Sequence, residues 1–449
     1  MTTSGSVTGE LAKWLCATRY ADLPVQVRAK ALDVVFDSVG CMAACSALPE
    51  VRTIVEFLQD MGGRSECTVI GYKGRTTVVS AAMANGAMAH GDEVDPVHLL
   101  SSGGHVAAGT VPTALVLGQW VGTSGMDVLR AVVLGYEVGG RLMTIFYRER
   151  DYLTRRFYHT AVAGALTSAV TAASLLGLDR QAIQVALGLA AYQAAGPDNM
   201  TKDPGHMGKT FQVAAANRNG VTAALLAQRG CSVPTDVLDG PLGFFDTFLG
   251  KPEVALEMVE DLGQYYAITD VMHKRYPVGS PNQTYLQGLF SLLSKHGIQL
   301  DDIRQIEIQI PGRSVHRIPS TRHASISGDV VCAMAAVHGK LDFYQLHEST
   351  AVLDPSVQRM RERIRFISRE DWTELKHGLH AIVTLTAAGD RAFEEEVWHQ
   401  PMTRKEIEEK FKSLVIPRLG GEKARRVEKL LNELENAKNV RPLMEELGG

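Results

Sequence analysis

The chain has 449 residues, 45% of them hydrophobic and 21% charged, and a formal net charge of −4. That length exceeds one ordinary core and predicts two or three domains. The near-balanced charge and the lack of basic clusters exclude a nucleic-acid surface and any long-range steering of a ligand, so an anion-binding field has to be local. Cys16, Cys41, Cys45, Cys67, Cys231 and Cys332 include no C-x-x-C pair and fit no zinc spacing. They read as reduced, mostly buried thiols rather than a disulfide framework.

The first residues, Met1–Trp14, lack a basic stretch followed by an apolar run, so no secretory leader is expected and a cytoplasmic location is the default. Residues 10–60 read as amphipathic helices with Val35, Val39, Ala43 and Ala44 on apolar positions. A short β-like stretch, Cys67–Ile70, ends at Gly71. Helices rich in small residues follow at about 79–90, 107–120, 126–145, 160–176, 180–194 and 210–229, with Gly177 and Gly230 as stops and Asp179 as an N-cap. Thr160–Leu178 is uncharged over 19 residues but is mostly Ala, Gly, Thr and Ser. It reads as a buried core helix, and no membrane association is expected. Ala and Gly at this density predict helix backbones in close approach, in a large all-helical domain or an oligomer interface.

The pattern changes after about residue 265. Ile306, Ile308 and Ile310 alternate with Glu307 and Gln309, the period of a half-buried strand. Arg363–Ile367 and Ala381–Leu385 give similar signals, with a turn at Gly389-Asp390 and helices around 281–296 and 328–338. This predicts an α+β domain of about 130 residues. From Arg404 the pattern is helical again, with a loop at Pro417–Glu422. The expected division is 1–267 helical, 268–402 α+β, and 403–449 helices returning to the first domain.

Four stretches could carry chemistry. The first runs from His90 to His105 and holds three acids, Asp92, Glu93 and Asp95, and three histidines, His90, His98 and His105. It is a polar loop between buried helices, and such loops often carry function. A solvated loop with capping acids and a metal site are the other readings, the last without H-E-x-x-H spacing. The second is Phe157-Tyr158-His159, leading into the Ala-rich helix. A histidine at a buried helix N-terminus sits in a positive field that favours its neutral form, suited to a base; a hydrogen-bonded structural histidine is the alternative.

The third is Gly205-His206-Met207-Gly208-Lys209-Thr210. A P-loop is excluded, because Asp203 stands where glycine is required and helix plus loop, not a strand, precedes. Lys209 is then a lysine at a helix start, disfavoured by the dipole unless it binds an anion. The fourth is His273-Lys274-Arg275-Tyr276-Pro277 at the expected domain boundary, either an inter-domain anion site or an exposed basic hinge.

In this order, these stretches resemble the MmgE/PrpD family, which includes 2-methylcitrate dehydratase, cis-aconitate decarboxylase and iminodisuccinate epimerase. The similarity spans the chain. It is most specific at Lys209 with Arg218-Asn219-Gly220 and Gln228-Arg229-Gly230. It extends to Asn85-Gly86, Gly104-His105, Val111-Pro112, His159 with Leu175-Leu176-Gly177-Leu178, and Lys274-x-Tyr276-Pro277. The resemblance implies a mainly α fold, a large all-helical domain plus a smaller α+β lid domain, and a homodimer. It implies an active site between domains that contains His105, His159, Lys209 and Lys274, with no cofactor and no metal. Glu93, Asp95, His98, Arg275, Tyr276 and Gln283 are the expected substrate-binding neighbours. The chain departs from the family at Glu93-Val94-Asp95-Pro96-Val97, where D-F-D-D-T is common, at Val106 for proline, at Gln283 near a histidine position, and near Val330, beside Asp329, for a tyrosine.

The chemistry this set predicts is bond making and breaking beside a carboxylate. Removing an α-proton leaves an enediolate, which fixed cations stabilise, here Lys209 and Lys274. His105 and His159 would be base and acid in an order the sequence leaves open, with Glu93 or Asp95 orienting a histidine. A lyase acting on a small (poly)carboxylic acid, by dehydration or decarboxylation, is the expected function. An isomerase or epimerase comes second and a non-catalytic carboxylate-binding protein third.

Overall fold

The computed structural model describes residues 5–150, 157–203, 205–312, 323–348, 351–372 and 379–449. The architecture is mainly α, with a smaller α+β part toward the C-terminus. The first part is built from α1 (Val7–Ala17), α2 (Val25–Cys45), α3 (Pro49–Asp60), α4 (Val78–Ala89), α5 (Val106–Val121), α6 (Gly125–Glu149), α7 (His159–Leu175), α8 (Arg180–Ala191), α9 (Met207–Gln228) and α10 (Phe244–Leu249). Local chemistry sets several starts. Ser6, Thr77, Ser124 and Asp179 each accept a hydrogen bond from a backbone N–H in the first turn of the helix they precede.

Small residues decide how closely these helices pack. A Cβ on Gly220 of α9 would lie 2.5 Å from the Ala165 carbonyl oxygen and from the Ser168 Cβ of α7. A Cβ on Gly86 of α4 would lie 2.6 Å from Asn217 Nδ2 of α9. Asn217 in turn donates to the Ala108 carbonyl of α5 at 2.9 Å. Thus α4, α5, α7 and α9 are locked around one buried amide. The stretch Thr160–Leu178 falls on α7, whose residues from His159 to Ala173 are buried. Among the described residues no single helix is long and apolar enough to cross a membrane.

The α+β part holds a four-stranded sheet in the order β6 (Ile364–Arg369), β5 (Ile303–Pro311), β7 (His380–Ala387), β8 (Arg391–Trp398). β5 runs parallel to β6 and antiparallel to β7, and β7 pairs antiparallel with β8. Ile306, Ile308 and Ile310 are buried in a second core with Leu286 and Leu289 of α11 (Asn282–His296) and Val331 of α12 (Gly328–His338). The strand β8 is absent from the sequence reading, because five of its eight residues are exposed and its Glu394-Glu395-Glu396 run breaks any apolar alternation.

Short elements complete the two parts. β1 (Cys67–Thr68) pairs with β2 (Arg75–Thr76), α13 (Phe343–Leu346) lends Phe343 to the first core, and α14 spans Pro355–Arg361. The last helices are α15 (Arg404–Leu419), α16 (Gly421–Asn432) and α17 (Arg441–Leu447). α15 lies on α2, with the Phe411 and Phe36 rings 4.8 Å apart. The loop expected at Pro417–Glu422 is corrected: Pro417 sits inside α15 and only Gly420, at φ 80°, separates it from α16. A proline near a helix end disrupts a single internal hydrogen bond, and a glycine tolerates the positive φ of the turn that follows.

One small ladder positions the site. β3 (Val97–His98) pairs with β4 (Val271–Met272), matching Val97 to Met272 and His98 to Val271. It clamps the acidic loop against the strand that leads into Lys274.

Candidate active site

Three helices begin at the acidic loop. His105 is the N-cap of α5, His159 is the first residue of α7, and Lys209 is the third residue of α9. The His105 N–H donates to Thr160 Oγ1 at 3.2 Å, which stitches the first two starts together. Thr210 Oγ1 lies 3.3 Å from the carbonyl oxygens of both His90 and Gly91, which ties α9 to the loop. Asp203, the residue that excludes a P-loop, caps α9 by accepting from Gly208 N–H at 2.7 Å. Three helix N-termini give this corner a positive field.

The central carboxylate is Glu93. Lys274 Nζ donates to its Oε2 at 2.7 Å, and Lys209 Nζ to its Oε1. Lys274 is wholly buried, and Glu93 and Lys209 are nearly so. Burial works against ionised Glu93, yet the two ammoniums hold it well below the usual carboxylate range. The anion that the position of Lys209 demanded is therefore present within the chain. Lys209 also lies 5.9 Å above the centre of the Tyr158 ring.

Beside this pair stands Asp95, 4.0 Å from Lys274 Nζ. His105 Nδ1 contacts its Oδ2 at 2.8 Å and His90 Nδ1 its Oδ1 at 3.1 Å. Against the cost of burial, the two imidazoles hold Asp95 well below the ordinary range. Tyr158 Oη lies 2.9 Å from His90 Nε2. Burial keeps the tyrosine protonated and pushes His90 down to about 3. Burial also lowers His105. One proton assignment satisfies every bond: both histidines are neutral, each gives its Nδ1 proton to Asp95, and His90 Nε2 accepts from Tyr158. His105 then presents a basic Nε2. His90 and Tyr158 lie in the first two stretches singled out from sequence but have no role there, and their pairing is set only by the fold.

His159 is buried, with Nδ1 3.5 Å from an Arg150 nitrogen. The remaining neighbours are placed otherwise. His98 Nδ1 meets Ser101 Oγ at 3.2 Å, and burial lowers the ring to about 4. Gln283 accepts from the N–H groups of Arg275 and Tyr276 and donates to the Tyr276 and Val278 carbonyls, so its amide shapes the loop after Lys274. Arg275 pairs with Glu406 of α15 at 2.5 Å, and Tyr276 packs on Phe290. Asp329 pairs with Arg361 at 2.8 Å, and Val330 lies in the second core.

A third carboxylate, Asp92, faces the α+β part. Its Oδ2 is 2.6 Å from His347 Nε2, and its Oδ1 accepts from Ser325 Oγ at 2.6 Å and lies 3.6 Å from His323 Nδ1. His206, in left-handed conformation at φ 59°, lies between this group and His90, with ring-centre distances of 5.3 Å to His323 and 6.2 Å to His90. A surface cavity of about 330 Å³ near Cys16, Arg130 and Arg180 contains none of the candidate residues.

The family models for the MmgE/PrpD N-terminal domain and the MmgE/PrpD C-terminal domain match residues 9–257 and 276–436. The cis-aconitate decarboxylase-like protein oryM of Aspergillus oryzae is 25% identical, over 100% of this chain and 98% of its own. A cis-aconitate decarboxylase of Aspergillus terreus is 26% identical, over 98% and 95%. The cis-aconitate decarboxylase of Homo sapiens is 23% identical, over 99% and 95%.

Proposed function

Since the chain belongs to the MmgE/PrpD family, whose relatives here are decarboxylases by name, we propose that it is a lyase that acts on a small di- or tricarboxylic acid through an enediolate-type intermediate. The observation that carries this reading is the convergence of Lys209 and Lys274 on one carboxylate, next to a neutral His105 oriented by Asp95. Two ammoniums held by Glu93 are pre-positioned cations. A substrate carboxylate that enters beside or in place of Glu93 meets both of them, and the charge that develops on its oxygens is stabilised where water is excluded. His105 Nε2 takes a proton or His159 returns one, and Asp95 keeps the His105 proton on Nδ1.

The cluster is closed to solvent, so entry requires the α+β part to move from the loop. We place the divisions of the chain at 267 and 402, with Arg275 and Gln283 shaping the hinge and α15 returning to α2. A homodimer in the cytoplasm, with chemistry that needs no cofactor, belongs to the same reading.

The test uses pure protein in D₂O with cis-aconitate and other small di- and tricarboxylic acids. CO₂ release marks a decarboxylase and a new conjugated alkene a dehydratase. Deuterium exchange without net product marks an isomerase, and binding without exchange a carboxylate-binding protein. The lyase assignment fails on either of the last two. The residue assignment fails if His159→Ala and Lys209→Ala each keep kcat/KM within about tenfold, or about 1.4 kcal/mol.

A further inference from the structure

We propose that Asp92, His323 and His347 form a binding site for one divalent transition-metal ion that ties the acidic loop to the α+β part. A carboxylate oxygen of Asp92 and one ring nitrogen of each histidine lie within 4.8 Å of one another. Two imidazoles and one carboxylate are a donor set suited to zinc, cobalt, nickel or iron, with coordination positions left for water.

Two details prepare this group for a metal. His347 Nδ1 is 2.6 Å from the Phe343 carbonyl and can only donate to it, so Nε2 is the ring atom turned to Asp92. A hydrogen bond from the second ring nitrogen to a carbonyl is the usual support of a metal-bound histidine. Asp92 Oδ2 and His347 Nε2 are 2.6 Å apart, the contact of an ion pair, and a divalent ion would take the place of the proton between them. Ser325 meanwhile holds the other Asp92 oxygen at 2.6 Å and so fixes the carboxylate plane.

Charge separates this group from its neighbours. His90, Glu93 and His206 cluster with comparable spacing, as do His90, Asp95 and His105. Glu93, however, is already bound by two lysines that would repel a cation, and both Asp95 oxygens are taken by imidazoles. No lysine or arginine pairs with Asp92 among the described residues, and Glu50 lies within electrostatic reach of Asp92, His323 and His347.

Asp92 immediately precedes Glu93, whereas His323 and His347 come from the α+β part. An ion here therefore fastens that part over the loop. The test is independent of any activity. Full-length protein is stripped with EDTA and titrated with Zn²⁺ by calorimetry, and in parallel with Co²⁺ by absorbance and X-ray absorption. One saturable equivalent is expected, with a raised unfolding midpoint and a Co²⁺ shell that contains two imidazoles. Asp92→Asn and His347→Gln should each weaken Zn²⁺ binding at least tenfold, and His105→Gln should not. Absence of saturable binding, a shell without two imidazoles, or equal loss in His105→Gln overturns the proposal. If a variant fails to fold, the wild-type Co²⁺ shell still decides.

Discussion

Lys274 and Glu93 are 181 positions apart in sequence, and both are buried at 2.7 Å from one another. Removing one member of such a pair leaves a buried charge short of its partner, which costs about 3–5 kcal/mol. Lys274→Met should therefore lower the midpoint of denaturant unfolding without changing the slope. If Lys274 also stabilises a developing enediolate, kcat should fall by about two to three powers of ten. Denaturation curves and steady-state rates measured on one preparation check both halves.

Asp95 holds two imidazoles, one on each oxygen. Asp95→Asn keeps the shape but offers one acceptor and one donor. The side chain then has to donate to one of the two rings, and that ring must shift its proton to Nε2. If the ring is His105, the base loses its lone pair. The expected result is a loss in kcat of about a hundredfold or more with a KM changed little. An equal rise in KM would point instead to a binding role.

His90 and His206 are both pushed by burial to about 3, against an ordinary 6.5. A folded-state value below the unfolded one means that the fold disfavours the proton. The stability these rings support is present above pH 6.5 and is lost as pH falls toward 3. His347 has the opposite sign: Asp92 raises it despite burial, so its contribution is full below 6.5 and fades as pH rises past its folded value. Urea unfolding at pH 7 and pH 5 should show lower stability at pH 5. His206→Gln should flatten that dependence, and His347→Gln should steepen it.

Much of this was legible from one-dimensional pattern. The long helices have caps and glycine stops, and the isoleucine alternation of β5 is a clean period of two. Lys209 was conspicuous because a cation at a helix start needs an anion. That the anion is Glu93 was not legible, since nothing local links positions 93, 209 and 274. The same holds for Tyr158 and His90, whose meeting depends on how α7 enters the core. β3 and β4 are two residues each, too short for any periodicity, yet they seat Lys274. Gln283, Arg275 and His98 are expected near substrate only through the family resemblance, and their bonds to backbone, to Glu406 and to Ser101 are ones that no local pattern shows.

The C-terminal helices reach the site through Lys410. Its ammonium is 2.7 Å from Asp37 Oδ1 and donates to the Val94 carbonyl at 2.8 Å, between Glu93 and Asp95. Asp37 Oδ2 meets His273 Nδ1 at 2.7 Å, one residue before Lys274. A single buried lysine on α15 thus braces the loop that carries both carboxylates, and through Asp37 the strand that carries the lysine facing them. Lys410→Met removes the charge and both bonds while nearly preserving volume. It should destabilise the fold by about 3–5 kcal/mol, since Asp37 is left buried with only His273 and the Cys41 thiol. Because Val94 then loses its anchor, kcat should fall beyond what unfolding explains, when rates are measured well below the variant's own midpoint. Lys410→Arg, which keeps the charge and the donors, should recover part of both. A Lys410→Met enzyme with wild-type kcat at low temperature would mean that the loop holds its shape without α15.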